Sequence, residues 1–146
     1  VEGLGRSDLG AAIDRVAAIS KRRGFVAVVS DFAGLDWKDP LARLGLRHDL
    51  LAISVHDPRE RDVPPIGLVE VVDPATGRAR EVRVTPDVQR RFAEAAAAQV
   101  TEREQAIRRA GAELIDLATD TDWLGTIVQH VLRKRVQAVN AQVLRR

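Results

Sequence analysis

Acidic residues follow three apolar segments of this 146-residue chain, and carboxylates placed in this way could hold a metal ion. Asp31 comes directly after residues 25–30, Asp57 follows residues 50–55, and Asp120 with Asp122 follows residues 113–118. If the segments are parallel strands, their carboxyl ends meet at one edge of a sheet, where neighbouring strands lie about 4.8 Å apart. Carboxylates there could share Mg²⁺ in a phosphoesterase or nuclease. They could equally cap turns and helices, so both interpretations stay open.

Other residues with chemical potential are few. His48, His56 and His130 do not have the spacing of zinc ligands, and the glycines near the start of the chain do not form a phosphate-binding loop. The absence of cysteine excludes disulfides and thiol chemistry. No nucleophile, base and orienting group can be assembled from spacing alone, so the residues do not indicate an enzyme.

The strands that would position these acids are predicted by continuous apolar runs. Residues 25–30 and 50–55 lack polar alternation, which is typical of strands buried on both faces of a parallel sheet. A helix capped by Ser7, with Lys21, Arg22 and Arg23 in its last turn and Gly24 at its end, is predicted before the first strand. A second helix over residues 36–47, anchored by Trp37, separates the two strands. This order predicts an α/β fold with right-handed crossovers.

A different pattern occupies residues 66–85, where turn residues 73–77 separate two β-branched runs. This pattern predicts a β-hairpin, inserted at the edge of the sheet. Thr85 and Pro86 predict the start of a long helix, with Phe92, Gln99 and Ile107 on its inner face. A weaker third strand over residues 113–118 and a last helix from Trp123 complete the prediction. Apolar positions 136, 139 and 143 continue that helix into the tail.

The charge distribution limits the kinds of partner that the chain is expected to bind. The net charge is +2, but the last fourteen residues carry +5, so the rest of the chain carries −3. A uniformly basic nucleic-acid-binding domain is therefore not expected, although the tail offers an alternative function as a weak contact to nucleic acid or an anionic surface. No run of about 18 apolar residues predicts a membrane span, and no leader is recognised. We expect a cytoplasmic protein, in keeping with the lack of cysteine.

Two segments resemble von Willebrand factor A domains. Residues 5–13, Gly-Arg-Ser-Asp-Leu-Gly-Ala-Ala-Ile, are similar to the Gly-x-Thr-x-Leu-x-x-Ala-Leu segment of those domains, and residues 28–31 are similar to the strand and aspartate that follow it. Together with residues 47–49, 57–60, 73–77 and 119–124, in that order, they resemble the C-terminal half of the MoxR-associated, von Willebrand factor A-like bacterial proteins of unknown function. The resemblance covers about residues 3–135.

The resemblance implies a remnant of a metal-ion-dependent adhesion site. In the wider superfamily that site uses an Asp-x-Ser-x-Ser segment, a threonine and an aspartate. Ser7 stands at the threonine position and Asp31 at the aspartate position, whereas the Asp-x-Ser-x-Ser segment and the first three strands are expected to precede this chain. Two oxygen ligands fall short of the roughly six that Mg²⁺ prefers. We therefore expect no cofactor in this chain and Mg²⁺ only in an intact family domain.

The resulting prediction is an α/β fold, a partial von Willebrand factor A-like (Rossmann-like) parallel sheet of three strands flanked by helices, with the hairpin inserted. Residues 1–135 would form this truncated domain and residues 136–146 a basic helical tail. The resemblance implies a non-enzymatic interaction module that is a partner or adaptor of a MoxR-type AAA ATPase. Because the missing strand would leave Phe25–Ser30 at a sheet edge without Lys or Pro, we expect an edge-to-edge homodimer.

Overall fold

The computed structural model describes residues 8–61, 67–72 and 77–143. These residues form two compact units, one from the segments up to His56 and from Arg103 onward, the other from Asp57 to Glu102. The elements in chain order are α1 (Leu9–Ile19), β1 (Phe25–Ser30), α2 (Lys38–Gly45), β2 (Asp49–His56), a 3₁₀ turn (Pro58–Arg61), β3 (Leu68–Val72), β4 (Ala79–Arg83), α3 (Pro86–Arg109), β5 (Glu113–Ala118) and α4 (Trp123–Val143).

The first unit is built on a parallel sheet with the strand order β1-β2-β5. Phe25 pairs with Asp49 at the start of β1, and Leu51 pairs with Glu113 at the start of β5. The predicted α/β fold with three parallel strands is confirmed. The continuous apolar runs form it because both faces of the central strand β2 are covered. β1 lies at an edge, as predicted.

The two faces of the sheet pack against different helices. On one face, Val26, Val28, Leu50 and Ala52 join a core that α1, α2 and the end of α3 complete; its helical members include Ile13, Leu41, Leu44 and Ile107. On the opposite face, a smaller cluster contains Ile53, Ile115 and Leu117, against which Ile127 of α4 packs. The first face therefore carries most of the apolar burial, which is the main source of stability in such a domain.

Trp37 anchors the start of α2, as predicted. Its side chain is 1% exposed, and its indole Nε1–H donates to the carbonyl oxygens of Phe32 at 3.1 Å and Gly34 at 3.2 Å. The rings of Phe32 and Trp37 meet edge to face with their centroids 5.0 Å apart. Phe32 has a φ of 52°, a conformation that costs a non-glycine residue energy. The buried tryptophan offsets that cost by holding the loop after β1.

The first helix differs from its prediction at both ends. Asp8 is the N-cap, since its Oδ1 accepts from the backbone N–H of Ala11 at 2.8 Å, while the predicted cap Ser7 lies outside the described residues. The helix ends at Ile19, so the predicted last turn of Lys21, Arg22 and Arg23 is wrong. These residues must instead approach β1, because the carbonyl of Gly24 accepts from the N–H of Asp49 and aligns the two strands.

The second unit contains the predicted hairpin. β3 and β4 pair antiparallel, with Leu68 opposite Arg83, and they form a two-stranded sheet of their own. The inner face predicted for α3 is right at Ile107, which is fully buried, and wrong at Phe92 and Gln99, which are exposed. The reason is that only the last turns of α3, from Arg103, belong to the unit that contains the parallel sheet.

The last helix, α4, continues without a break to Val143, as its apolar spacing predicted. The side chains of Val136, Val139 and Val143 lie outside those that the structure describes, and the domain boundary at residue 135 stays a prediction. Within residues 8–61, 67–72 and 77–143, no helix is long and apolar enough to cross a membrane.

Candidate functional site

Asp31, the aspartate of the predicted remnant metal site, lies exposed at the carboxyl end of β1. Its Oδ1 accepts from the backbone N–H of Ala33 at 3.0 Å and from the hydroxyl of Ser30 at 3.2 Å. These bonds close an Asx-type turn, which is the capping role that competes with metal binding. Its proposed companion Ser7 lies outside the described residues, so the pairing of Ser7 with Asp31 as metal ligands stays a prediction.

The other strand-end acids also have local partners. Asp57 Oδ1 accepts from the N–H of Arg59 at 2.9 Å, and Asp122 Oδ1 accepts from the N–H of Gly125 at 2.9 Å. Asp57 thus shapes a turn and Asp122 caps α4, as the simpler interpretation of the sequence had it. In the part of the chain that the structure describes, no three His, Cys, Asp or Glu side chains come together as a metal site.

A polar cluster that spacing did not reveal lies near the carboxyl end of the sheet. His56 Nδ1 is 3.2 Å from Asp116 Oδ1, and Arg103 Nη2 is 3.8 Å from the same oxygen. Arg103 Nη1 also donates to the backbone carbonyl of Asp31 at 3.3 Å. The side chains of His56 and Arg103 are only 11% and 16% exposed. The cluster therefore ties α3 to all three strand ends and holds the backbone that presents Asp31.

The sequence contained only a weak indication of this cluster. Ser54 and His56 alternate along β2, and Asp116 pairs with Ser54 in the sheet register, so these side chains share one face. Spacing along the chain gave His56 no role as a zinc ligand, and it could not bring in Arg103, which comes from a helix 47 positions later. The cluster joins two strands to α3, but Ser54 Oγ, His56 Nδ1 and Arg103 Nε are buried without a hydrogen bond among the described residues.

A second polar cluster joins β5 to α4. Lys134 Nζ lies 2.5 Å from Glu113 Oε1, and His130 Nε2 lies 3.3 Å from Glu113 Oε2. Burial pulls the pKa of Glu113 upward, but the hydrogen bond and charge of Lys134, assisted by His130, outweigh it, so the pKa of Glu113 lies below its ordinary value. The cluster fixes α4 over only one part of its sheet face.

Among the residues that the structure describes, the part of this face formed by β1 is exposed. Alternate residues of β1 point away from the main core, and among them Phe25 is 68% exposed and Val29 63% exposed. A cavity of about 770 Å³ separates Phe25 from Val131 of α4, which is half exposed. We call Phe25, Ala27, Val29 and Val131 the interaction face. These four residues form an exposed apolar surface beside the cavity.

The backbone edge of β1 adds to this surface. β1 pairs with β2 on one side, and no strand among the described residues lies on its other side. Its sequence, Phe-Val-Ala-Val-Val-Ser, contains neither Lys nor Pro, the residues that commonly protect an edge from pairing with another chain. Backbone groups and apolar side chains are therefore both available at the same place.

The described residues thus form an α/β domain in which β1 lies at an edge of the sheet. The chain belongs to the family described as "Protein of unknown function DUF58", whose model matches residues 3–105. This match confirms one part of the resemblance, membership of a family of unknown function. No solved structure matches the chain.

The similar proteins are mycobacterial. The uncharacterized protein Rv1480 of Mycobacterium tuberculosis and the uncharacterized protein Mb1516 of Mycobacterium bovis are each 41% identical over 131 residues, covering 89% of this chain and 41% of their own length. The uncharacterized protein MAV169 of Mycobacterium avium is 40% identical over 131 residues, with 78% of its length covered. The chain therefore spans about two fifths of the length of the first two relatives.

Proposed function

We propose that this chain is a non-enzymatic protein-interaction module that binds through the interaction face. The observation that carries the proposal is the edge strand β1, whose outward side chains Phe25 and Val29 are 68% and 63% exposed beside an unpaired backbone edge. A bound chain would bury these side chains and complete the sheet.

The simplest partner of this edge is a second copy. Two β1 strands related by a two-fold axis would pair antiparallel and join two three-stranded sheets into one. Burying about 400 Å² of apolar surface contributes roughly 10 kcal/mol before the costs of association and ordering. This homodimer is the partner expected from the sequence, and the exposed β1 edge supports it.

The functional partner that we propose is a MoxR-type AAA ATPase in the cytoplasm, for which the module acts as an adaptor. The support is the von Willebrand factor A-like resemblance of residues 3–135, which is a family-level argument. In that setting Asp31, with Ser7, belongs to a metal-ion-dependent adhesion site completed outside this chain. The partner is tested by pull-down of the ATPase encoded beside the gene, using the full-length family protein with and without nucleotide; no retention in either condition contradicts it.

The interaction face is tested by a charge at its centre. Val28, which lies in the same strand, packs against the main core, so the informative position is the exposed Val29. We expect the parent chain to be dimeric by light scattering and Val29→Asp to be monomeric with an unchanged melting temperature. Leu35→Asp, at a loop residue that is 68% exposed, is the matched control and should stay dimeric. A parent chain that is monomeric refutes the homodimer, and a dimeric Val29→Asp variant refutes the edge-to-edge geometry.

A further inference from the structure

Basic side chains gather on the opposite side of the sheet from the interaction face, where α1 and α2 end. The hydrogen bond from the Asp49 N–H to the Gly24 carbonyl, 2.9 Å long, brings together the two segments that lead into β1 and β2. Because these segments and the ends of both helices lie at the amino end of the sheet, five basic residues lie at that end, all of them exposed: Lys21, Arg22, Arg23, Arg43 and Arg47.

The positive charge of this group exceeds the negative charge of its acidic neighbours, which include Asp14 and the exposed Asp49 at the start of β2. Arg43 Nη2 forms an ion pair with Asp14 Oδ1 at 2.8 Å. Within residues 8–61, 67–72 and 77–143, the structure contains no ion pair of Lys21, Arg22, Arg23 or Arg47. Part of this charge follows from the early end of α1 at Ile19, which leaves residues 21–23 in the connection to β1. A surface of this kind attracts acidic groups.

A small apolar cavity lies within the basic group. Its volume is about 310 Å³, which suits one or two side chains. Leu46 stands at its rim with 84% of its surface exposed, the largest exposure of any big apolar residue described. Ile19, 74% exposed, lies two residues beyond the cavity-lining Ala17. We call the six residues that line the cavity the basic pocket: Ala17, Arg43, Leu44, Leu46, Arg47 and His48.

We propose that the basic pocket binds an acidic peptide segment of a partner protein. An aliphatic side chain of the segment enters the cavity beside Leu44 and Leu46. The carboxylates on either side of it meet Arg47 and Arg43, the latter in competition with Asp14. Guanidinium groups suit this role because they bind carboxylates through paired hydrogen bonds. The site lies on the opposite sheet face from the interaction face and does not depend on the function proposed for that face.

The composition of the pocket favours a peptide over a nucleic acid. Nucleic-acid sites for single strands combine basic residues with aromatic side chains on which bases stack. The ring in the basic pocket is the imidazole of His48, which is only 5% exposed and offers little surface for stacking, while Ala17, Leu44 and Leu46 supply the aliphatic wall. A phosphate backbone has no aliphatic group to place there, whereas leucine or isoleucine next to glutamate fits both the cavity and the charge.

Fluorescence anisotropy with two labelled peptides tests the proposal. The probe is fluorescein-labelled Glu-Asp-Glu-Leu-Glu-Asp-Glu, and its control has alanine in place of leucine. We expect the leucine peptide to bind about tenfold more tightly than the alanine peptide, because leucine buries more apolar surface. Added salt should weaken binding of both peptides. A labelled single strand of twelve thymidines is the competing ligand, and it should bind more weakly than the leucine peptide.

Charge reversal locates the site. The double variant Arg43→Glu with Arg47→Glu should bind the leucine peptide at least about tenfold more weakly. The double variant Arg91→Glu with Arg133→Glu makes the same change of net charge at exposed positions elsewhere and should bind like the parent chain. All four positions are exposed, and circular dichroism melts should show that both variants keep the fold.

Leu46→Ser tests the contribution of the cavity to binding separately from the contribution of the charges. It should weaken binding of the leucine peptide while leaving the alanine peptide unaffected. Val29→Asp, which disrupts the interaction face, should bind the leucine peptide like the parent chain, so failure of one proposal does not imply failure of the other. Equal affinity for the two peptides, tighter binding of the oligonucleotide, or no binding up to about 1 mM protein would each overturn the proposal.

Discussion

Gly45→Ala tests whether α2 and the end of α3 meet as closely as the structure shows. Gly45 is the last residue of α2, and a methyl group added there would lie far inside van der Waals contact with the carbonyl oxygen of Ala110. It would also lie 3.2 Å from the carbonyl carbon of Ala110 and 3.2 Å from Cδ1 of Leu50. Because the closest atom belongs to the backbone, a side-chain rotation cannot relieve the overlap.

The expected cost follows from two opposing effects. Overpacking of this kind typically costs about 1–3 kcal/mol. Replacing a helical glycine by alanine returns at most about 1 kcal/mol, and less at the end of a helix. Backbone overlap places the substitution toward the upper part of the range, so we expect a net loss of about 2 kcal/mol in the free energy of unfolding. For a chain of this size, that corresponds to a melting temperature lower by about 4–8 °C.

Urea unfolding followed by circular dichroism measures this loss, with Gly24→Ala as the matched control. A methyl group at Gly24 would meet nothing within 4 Å, so its effect should stay within about 0.5 kcal/mol of the parent chain. Equal unfolding midpoints for Gly45→Ala and the parent chain would show that the helices do not approach each other as described, and would refute the reasoning.

Three further predictions concern the core, a helix cap and a titrating pair. Leu41→Ala removes a fully buried side chain and should cost about 2–5 kcal/mol in urea unfolding, whereas a cost below about 1 kcal/mol would contradict its burial. Asp122→Ala deletes the cap on Gly125 and should lower stability by about 1 kcal/mol, with Asp122→Asn restoring most of it; equal stability of all three chains would exclude the cap. Lys134→Met removes the partner that lowers the pKa of Glu113, so it should cost under about 1 kcal/mol near pH 7. That difference should shrink as the pH falls below the ordinary pKa of 4.5, because the stabilisation is lost when Glu113 is protonated; unfolding midpoints with a constant difference between pH 7 and pH 3 would contradict the pairing.

The local sequence was sufficient for most elements of the parallel sheet. The apolar runs at residues 25–30 and 50–55 predicted the parallel strands correctly. Burial on both faces holds for residues 50–55 and is wrong for residues 25–30, where Phe25 and Val29 are exposed. The burial of Trp37 was predictable because a large indole favours a buried position. The pairing of β3 with β4 was predictable because β-branched runs on either side of turn residues favour hairpins. The capping roles of Asp57 and Asp122 also depend only on nearby backbone groups.

What the tertiary structure decided depends on which segments meet. A continuous apolar strand does not reveal which of its faces will be covered, so only packing distinguishes the core-facing Val28 from the exposed Val29. The early end of α1 follows from strand alignment at Gly24 and Asp49, which overrides the local tendency of residues 20–23 to stay helical. His56, Asp116 and Arg103 meet only because two strands and a helix converge, and no spacing along the chain encodes that contact. Local preferences act over a few residues, whereas these features depend on contacts between segments far apart in the chain.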